Sequence, residues 1–312
     1  MNRDVAILIP TLRRPDSLAR AVRSLSGQAP ERLREIVVAD NDPAGSARAT
    51  VDAVAAEASV PVIYVHAPKP GVATARNAAL AATDAPLIAF LDDDEEAADG
   101  WLAALLDTHE RFGADATFGA IEGRASDAKP WLRPYLEDFF SRRGPEVAGL
   151  AAEPYGCGCS LMTRAVALPG PAPFDTSADQ SGGEDDKLFA ALAARGGRFA
   201  WAPDAMAFEH APAHRATLGY ALKRAFAYGQ GPSQTCAHAR DWAGVLKWSA
   251  VGAVQACVWG VLALALWIAR RPTRAQALDR AARGLGKLCW FNGLEPQLYG
   301  AAELRRAAAA HA

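Results

Sequence analysis

No G-x-G-x-x-G follows the first apolar run of this 312-residue chain, and no G-x-x-x-x-G-K-[ST] occurs anywhere in it. The first absence argues against a dinucleotide-binding crossover, the second against a P-loop phosphate cradle. An excess of one charge sign is also missing. The 33 basic residues stand against 35 acidic ones, a formal −2, so nucleic acid is not an expected partner. Cysteine is sparse and odd in number: Cys157, Cys159, Cys236, Cys257 and Cys289. None forms a C-x-x-C pair, which disfavours a zinc ribbon or redox motif and points to a reducing compartment. The N-terminus enters an apolar run within four residues and has no signal-peptide pattern, so export is not expected.

What is present is a series of buried-looking strands that end in polar residues. Leu87-Ile88-Ala89-Phe90-Leu91 runs straight into Asp92-Asp93-Asp94-Glu95. A short continuous apolar run suits a strand covered on both faces. Four carboxylates at its end repel one another, so stability gives little reason to place them there. Strand ends in open α/β sheets are where ligands bind, and Mg²⁺ or Mn²⁺ prefers carboxylate oxygens shared with substrate phosphates. A metal–diphosphate site is therefore expected at Asp92, Asp93 and Asp94; an acidic solvated turn is the plain alternative.

The remaining strands fit the same scheme. Val5–Ile9 closes at Pro10-Thr11, with Asp16 or Ser17 able to cap the helix after it. Ile36–Ala39 ends at Asp40-Asn41-Asp42, and Val62–Val65 precedes a Pro-Lys-Pro-Gly turn and a helix over Val72–Ala82. A helix from Asp99 and a strand at Arg198–Trp201 come later. Strands alternating with helices of this length predict an α/β fold with a mostly parallel central sheet. Asp40, Arg76-Asn77 and Asp92–Asp94 then fall on one rim of that sheet.

In order and separation, Ile9-Pro10-Thr11-x-Arg13-Arg14, Asp40-Asn41-Asp42, Gly71–Asn77, Phe90–Glu95 and Gly182-Gly183-Glu184-Asp185-Asp186 resemble the motifs of family 2 glycosyltransferases with the glycosyltransferase A fold. The likeness spans roughly residues 3–230 and is nearest in look to bacterial enzymes of exopolysaccharide or cell-envelope synthesis. It implies a nucleotide-diphosphate sugar donor, expected to be a UDP-sugar, a glycan or lipid-linked glycan acceptor, and a Mn²⁺ or Mg²⁺ cofactor. By resemblance, Asp94 is the direct metal ligand, with Asp92 as a second and His210 as a candidate third. Asp92 or Asp93 would face the ribose or the sugar. Pro10, Thr11, Arg13, Asp40, Asp42, Arg76 and Asn77 would line the donor, with Asp40 against the base. Asp185 is the expected general base with Glu184 its rival, and one carboxylate base without a covalent intermediate implies inversion. Arg215, Arg224 and Gly229 resemble an R…R-x-x-x-x-G grip on a phosphate. Gly156-Cys157-Gly158-Cys159-Ser160 departs from the Gly-Asn pair of many relatives and leaves the acceptor open. A sugar-phosphate nucleotidyltransferase, or an inactive scaffold of the same fold, is the competing reading. A nucleotidyltransferase needs a glycine-rich basic loop after the first strand, and this chain has none.

The expected division is a catalytic domain over 1–235, with a donor half at 1–124 and an acceptor half at 125–235, then a helical appendage over 236–312. Trp248 to Ile268 has no charged residue and is followed by Arg270, Arg271, Arg274, Arg280, Arg283 and Lys287. Twenty or so apolar residues can span a bilayer, yet basic flanks and cytoplasmic donors put both ends on one side. A membrane surface contacted through 245–290, at the cytoplasmic face of a bacterial inner membrane, is expected; a homodimer through the same helices is the alternative.

Overall fold

The computed structural model describes residues 4–291 and 293–297. Its sheet is seeded by Val5–Thr11 (β1), whose side chains alternate between two cores. Val5, Ile7 and Ile9 pack with Leu18, Leu25, Trp101 and Leu105, while Ala6 and Leu8 pack with Leu80, Phe90, Phe118 and Phe189. Burial on both faces explains why the strand reads as an unbroken apolar run. Leu33–Asp40 (β2) and Leu87–Phe90 (β4) flank β1 in parallel, and Val62–His66 (β3) lies parallel outside β2. The connecting helices are Pro15–Ser24 (α1), Arg48–Ala55 (α2) and Val72–Ala81 (α3).

Beyond β4 the sheet turns antiparallel. Its order continues as Ser160–Thr163 (β8), Ala116–Arg124 (β6), Phe199–His210 (β9) and Glu95–Ala97 (β5), with Gly149–Ala151 (β7) on β9. Trp101–Phe112 (α4), Arg133–Phe140 (α5), Arg164–Ala167 (α6) and Glu184–Ala194 (α7) complete this part. The mixed sheet keeps its parallel half where the polar strand ends lie. Register pairs Thr11 with Asp40 and Asp40 with His66, so these residues sit side by side on one edge.

Several local expectations shift. Neither Asp16 nor Ser17 caps α1, because the helix begins at Pro15, with Arg14 at the cap position and no side-chain cap. Proline at the first helical position suits its fixed φ and missing N–H. The helix expected from Asp99 starts at Trp101, after Gly100 in the left-handed region at φ 77°. The strand expected at Arg198–Trp201 runs on to His210. The start of α3 is held from a distance. Asp179 accepts from the Thr74 N–H at 2.9 Å and from the Thr74 hydroxyl at 2.7 Å, acting as a remote N-cap. A Cβ on Gly71 would stand 2.0 Å from the Asp179 carboxyl carbon, so only glycine leaves room for it.

The described chain divides into two compact units, one of residues up to Glu122 with Ser141–His210, the other of Gly123–Phe140 with Ala211–Gln297. Residues 211–235 thus group with the C-terminal helices, whereas the sequence placed them in an acceptor half. In the second unit, Leu218–His238 (α8), Trp242–Ile268 (α9) and Arg274–Leu288 (α10) meet backbone to backbone. Side chains at Gly229, Gly284 or Gly286 would clash with Arg283, Gly252 or Phe226 main-chain oxygens. Gly229 is a packing residue in this arrangement. The aromatic-rich stretch around residues 131–155 is likewise split. Trp131 meets Trp267 and Phe140 stacks near Tyr220 in the second unit, while Tyr155 packs on Trp201 and Phe118 in the first.

Candidate functional site

The polar strand ends of the parallel half converge on the loop after β4. Thr11, at the end of β1, donates its hydroxyl to Asp93 Oδ2 at 2.7 Å, and the Leu12 N–H reaches the same oxygen at 3.4 Å. Arg14 Nη1 donates to Asp93 Oδ1 at 2.7 Å and to Asp94 Oδ2 at 2.9 Å. The loop between β1 and α1 therefore neutralises two of the three aspartates. Arg13 lies in the left-handed region at φ 55°, an uncommon conformation for a residue with a Cβ. The turn sends the two arginines to different partners, Arg13 Nε pairing with Asp42 Oδ2 at 3.0 Å. Burial raises the Asp42 carboxyl, but Arg13, Ser46 and the Ala44 N–H outweigh it and hold Asp42 below its ordinary value.

The third aspartate belongs to a different network. Asp92 Oδ1 accepts from Arg76 Nη2 at 3.3 Å, and the other arm of the Arg76 guanidinium is in a short ion pair with Glu184. Arg76 is 4% exposed, and its Nε has no protein acceptor. One buried guanidinium thus joins the acidic loop after β4 to the first turn of α7. Burial pushes Glu184 up to about 7 against the pull of Arg76. Burial, and then Asp92 beside it, raise Glu95 well above the usual carboxylate range. Gly158 makes this crowding possible, since a Cβ there would lie 2.7 Å from both Asp92 Oδ2 and Glu95 Oε1.

The two base candidates differ in surroundings. Glu184 is buried and ion-paired. Asp185 is half-buried, with Oδ2 accepting the Cys157 N–H at 3.2 Å and Oδ1 accepting the Asp186 N–H at 2.9 Å. Backbone donors orient Asp185, whereas Glu184 is taken up by the buried Arg76 guanidinium, so Asp185 is the better placed of the two to take a proton. Cys157 and Cys159 are buried free thiols, and burial pushes Cys159 up to about 12, so both behave as small packing residues.

Some expected ligand contacts are already satisfied within the protein. Asp40 is fully buried, accepting from the Asp42 N–H, the Ala47 N–H and the Tyr64 hydroxyl. It orders the loop after β2, which leaves its neighbour Asp42 and the half-buried Pro10 on that rim. Asn77 is committed in both directions to the Phe174 main chain, at 2.8 and 3.1 Å. His210, ending β9, donates its main-chain N–H to the Asp94 carbonyl at 2.8 Å, while its Nε2 lies 2.8 Å from Glu96 Oε2. Its ring therefore meets Glu96, although its backbone adjoins Asp94. Arg215 and Arg224 lie in the second unit, where each guanidinium stands over a tyrosine ring. Arg14 and Asp179 carry weight that the sequence did not assign to them. Arg14 adjoins Arg13 in the same motif, and only the left-handed turn at Arg13 gives the two different partners.

The profile of Glycosyl transferase family 2 matches residues 6–168, which hold β1 to β8 and the whole acidic loop. Succinoglycan biosynthesis protein ExoM of Rhizobium meliloti (strain 1021) is 37% identical over 229 residues, covering 72% of this chain and 73% of that protein. Pre-mycofactocin glycosyltransferase of Mycobacterium tuberculosis is 30% identical over 232 residues, 73% of this chain and 46% of its own length. Among solved structures, the mannosyltransferase PcManGT from Pyrobaculum calidifontis, in complex with GDP-Man and Mn²⁺, superposes with a TM-score of 0.63 at 17% identity. The match covers 93% of this chain and 88% of that one. The first 349 residues of S. aureus TarS give 0.53 at 14% identity, over 92% and 89%. These structures share the glycosyltransferase A fold with this chain. With the profile spanning half the sequence and a relative at 37% identity, the chain belongs to glycosyl transferase family 2.

Proposed function

We propose that this transferase moves a sugar, with inversion, from a nucleotide-diphosphate donor to a glycan or lipid-linked glycan acceptor. The donor is read as a UDP-sugar, and the pathway as exopolysaccharide or cell-envelope synthesis, in keeping with the name of the 37% identical relative. The observation that carries the reading is the Arg76 bridge. It ties the phosphate side of the site, at Asp92, to the base side, at Glu184-Asp185. Asp185 accepts the proton of the attacking acceptor hydroxyl, and Arg76 offers positive charge and an unused Nε–H to the departing diphosphate. Thr11, Arg13 and Asp42 line the nucleotide side of the rim.

The donor set at Asp92 and Asp94 is hard oxygen, which suits Mn²⁺ or Mg²⁺. Among the described residues, no three His, Cys, Asp or Glu side chains converge as a ready-made cluster. Two carboxylates completed by phosphate oxygens and water are the usual mode for such ions. Asp94 and Asp92 would hold the ion, which when bound offsets the charge of the leaving diphosphate. The Mn²⁺ in the Pyrobaculum calidifontis mannosyltransferase supports this reading. Incubating the full chain with a panel of nucleotide sugars and Mn²⁺ tests the transfer reading. One donor, expected to be a UDP-sugar, should release its nucleoside diphosphate well above background. A panel giving no release with any donor, in the presence of membrane extract as acceptor source, contradicts it.

The second unit is read as the membrane contact. Its helix α9 is 27 residues long with a mean hydropathy of 2.0 over its most apolar window, of which 11% is buried. Val251, Val254, Val258, Val261 and Ile268 are exposed at helical spacing and form one outward stripe. Cations stand over tryptophans in this unit: Arg280 over Trp259 at 4.2 Å and Arg274 over Trp131 at 3.8 Å. Tryptophan and arginine together suit an interface of anionic headgroups. Flotation with phosphatidylglycerol vesicles is expected to carry the full chain upward. Replacing Val258 and Val261 by Asp should abolish this and leave donor hydrolysis intact. A wild-type chain that stays at the bottom as a stable dimer assigns the stripe to self-association instead.

A further inference from the structure

We propose that Arg14 is a latch on the acidic loop, holding the carboxylates that a divalent cation would take and leaving them only when the nucleotide diphosphate arrives with the ion. The inference rests on the metal reading above and adds a residue that governs the order of loading. Arg14 Nη1 bridges Asp93 Oδ1 and Asp94 Oδ2 at 2.7 and 2.9 Å. The three side chains are 14%, 6% and 8% exposed, so the contact is largely shielded from water. A dication at Asp94 would sit within a few ångströms of this guanidinium, where repulsion is strong because screening is weak. Guanidinium and metal ion therefore exclude one another at Asp94.

Two features favour release of Arg14 from the aspartates. Arg13 holds a left-handed conformation that is unfavourable for a residue with a Cβ, and the strain sits one residue before Arg14. Asp93 is kept in place without Arg14 by the Thr11 hydroxyl and the Leu12 N–H. The aspartates can thus stay ordered as the arginine leaves. A guanidinium released beside a diphosphate has a bidentate partner to take. The latch makes free cation bind poorly and the cation–diphosphate pair bind well. Nucleotide and metal then load together, and the empty site is not left as a bare carboxylate cluster.

Calorimetric titration of the full chain with Mn²⁺ alone, then with Mn²⁺ in the presence of UDP, tests this. In Arg14→Ala the affinity for Mn²⁺ alone should rise at least tenfold over wild type, and the added gain from UDP should shrink. Arg14→Gln keeps the stem and removes the charge, and it carries the same expectation if Arg14→Ala does not fold. A wild-type chain that takes no Mn²⁺ alone, beside a glutamine variant that does, also supports the latch. Equal or weaker Mn²⁺ binding in both variants overturns it, as does no binding by any of the three. Asp94→Ala separates the two readings. If it leaves wild-type Mn²⁺ binding unchanged, the metal assignment fails. If it abolishes that binding while the Arg14 variants gain nothing, the latch alone fails.

Discussion

Asp185→Asn is expected to lower turnover by about 10³-fold while the affinity for nucleotide changes by less than about twofold. A general base contributes roughly 10² to 10⁴ in rate. Asparagine keeps an oxygen that can accept the Cys157 N–H now bonded to Asp185 at 3.2 Å, so the start of α7 should not move. On the proposed mechanism, the lost function is the acceptance of a proton. Glu184 does not substitute, because it is buried and committed to Arg76. Comparing kcat with the dissociation constant of the nucleoside diphosphate checks both halves. Turnover within tenfold of wild type would move the base to Glu184.

Arg76→Ala has the largest expected effect on stability. Removing one partner of a buried ion pair strands the other charge, at a cost of about 3–5 kcal/mol. Here two carboxylates, on Asp92 and Glu184, lose their shared cation. The loss should depend on pH, and its sign follows from Glu184. Burial raises this carboxyl from 4.5 to about 7 in the folded chain, while Arg76 pulls it down and Asp185 and Asp92 push it further up. The folded protein thus holds a proton that the unfolded chain has released. Stability from this group is therefore greatest below pH 4.5 and falls as pH rises towards 7. Without Arg76 the folded value climbs higher still and the fall continues above 7. Urea midpoints at pH 5, 7 and 8 should show the variant losing more against wild type as pH rises. A loss below 1 kcal/mol (about), equal at all three, would contradict the network.

The gathering of polar residues on one edge was legible, because it follows where the apolar strands end. The apolar runs of β1, β2 and β4 announce where they stop, and the polar residues just beyond them do share one edge. Hydrogen-bond demand made in three dimensions was not legible. Asp40 looks like a ligand at a strand end, but Tyr64 and two loop amides claim its oxygens once the sheet forms. Asn77 follows Arg76 in the same motif yet faces the Phe174 main chain, 97 residues further on. Asp179 caps a helix 105 residues before it. No local pattern encodes such a cap. Part of the antiparallel half was hidden for a simpler reason: strands of three or four residues, such as Gly149–Ala151 and Ser160–Thr163, carry too little period to read. In the C-terminal helices, the apolar stretch was plain, but the glycine contacts that lay α9 along α10 required both helices to be in place.

On the proposed function, the carboxyl edge of the parallel strands binds a nucleoside diphosphate through the acidic loop at Asp92–Asp94. The most direct measurement is the melting temperature of the full chain with UDP and Mn²⁺, in wild type and in Asp94→Ala. A ligand present at about 100 times its dissociation constant stabilises the folded state by about 2.7 kcal/mol, enough to read as several degrees. The expected result is a rise in the wild-type chain that Asp94→Ala abolishes. A rise that survives Asp94→Ala, or no rise with any nucleoside diphosphate and Mn²⁺, would contradict it.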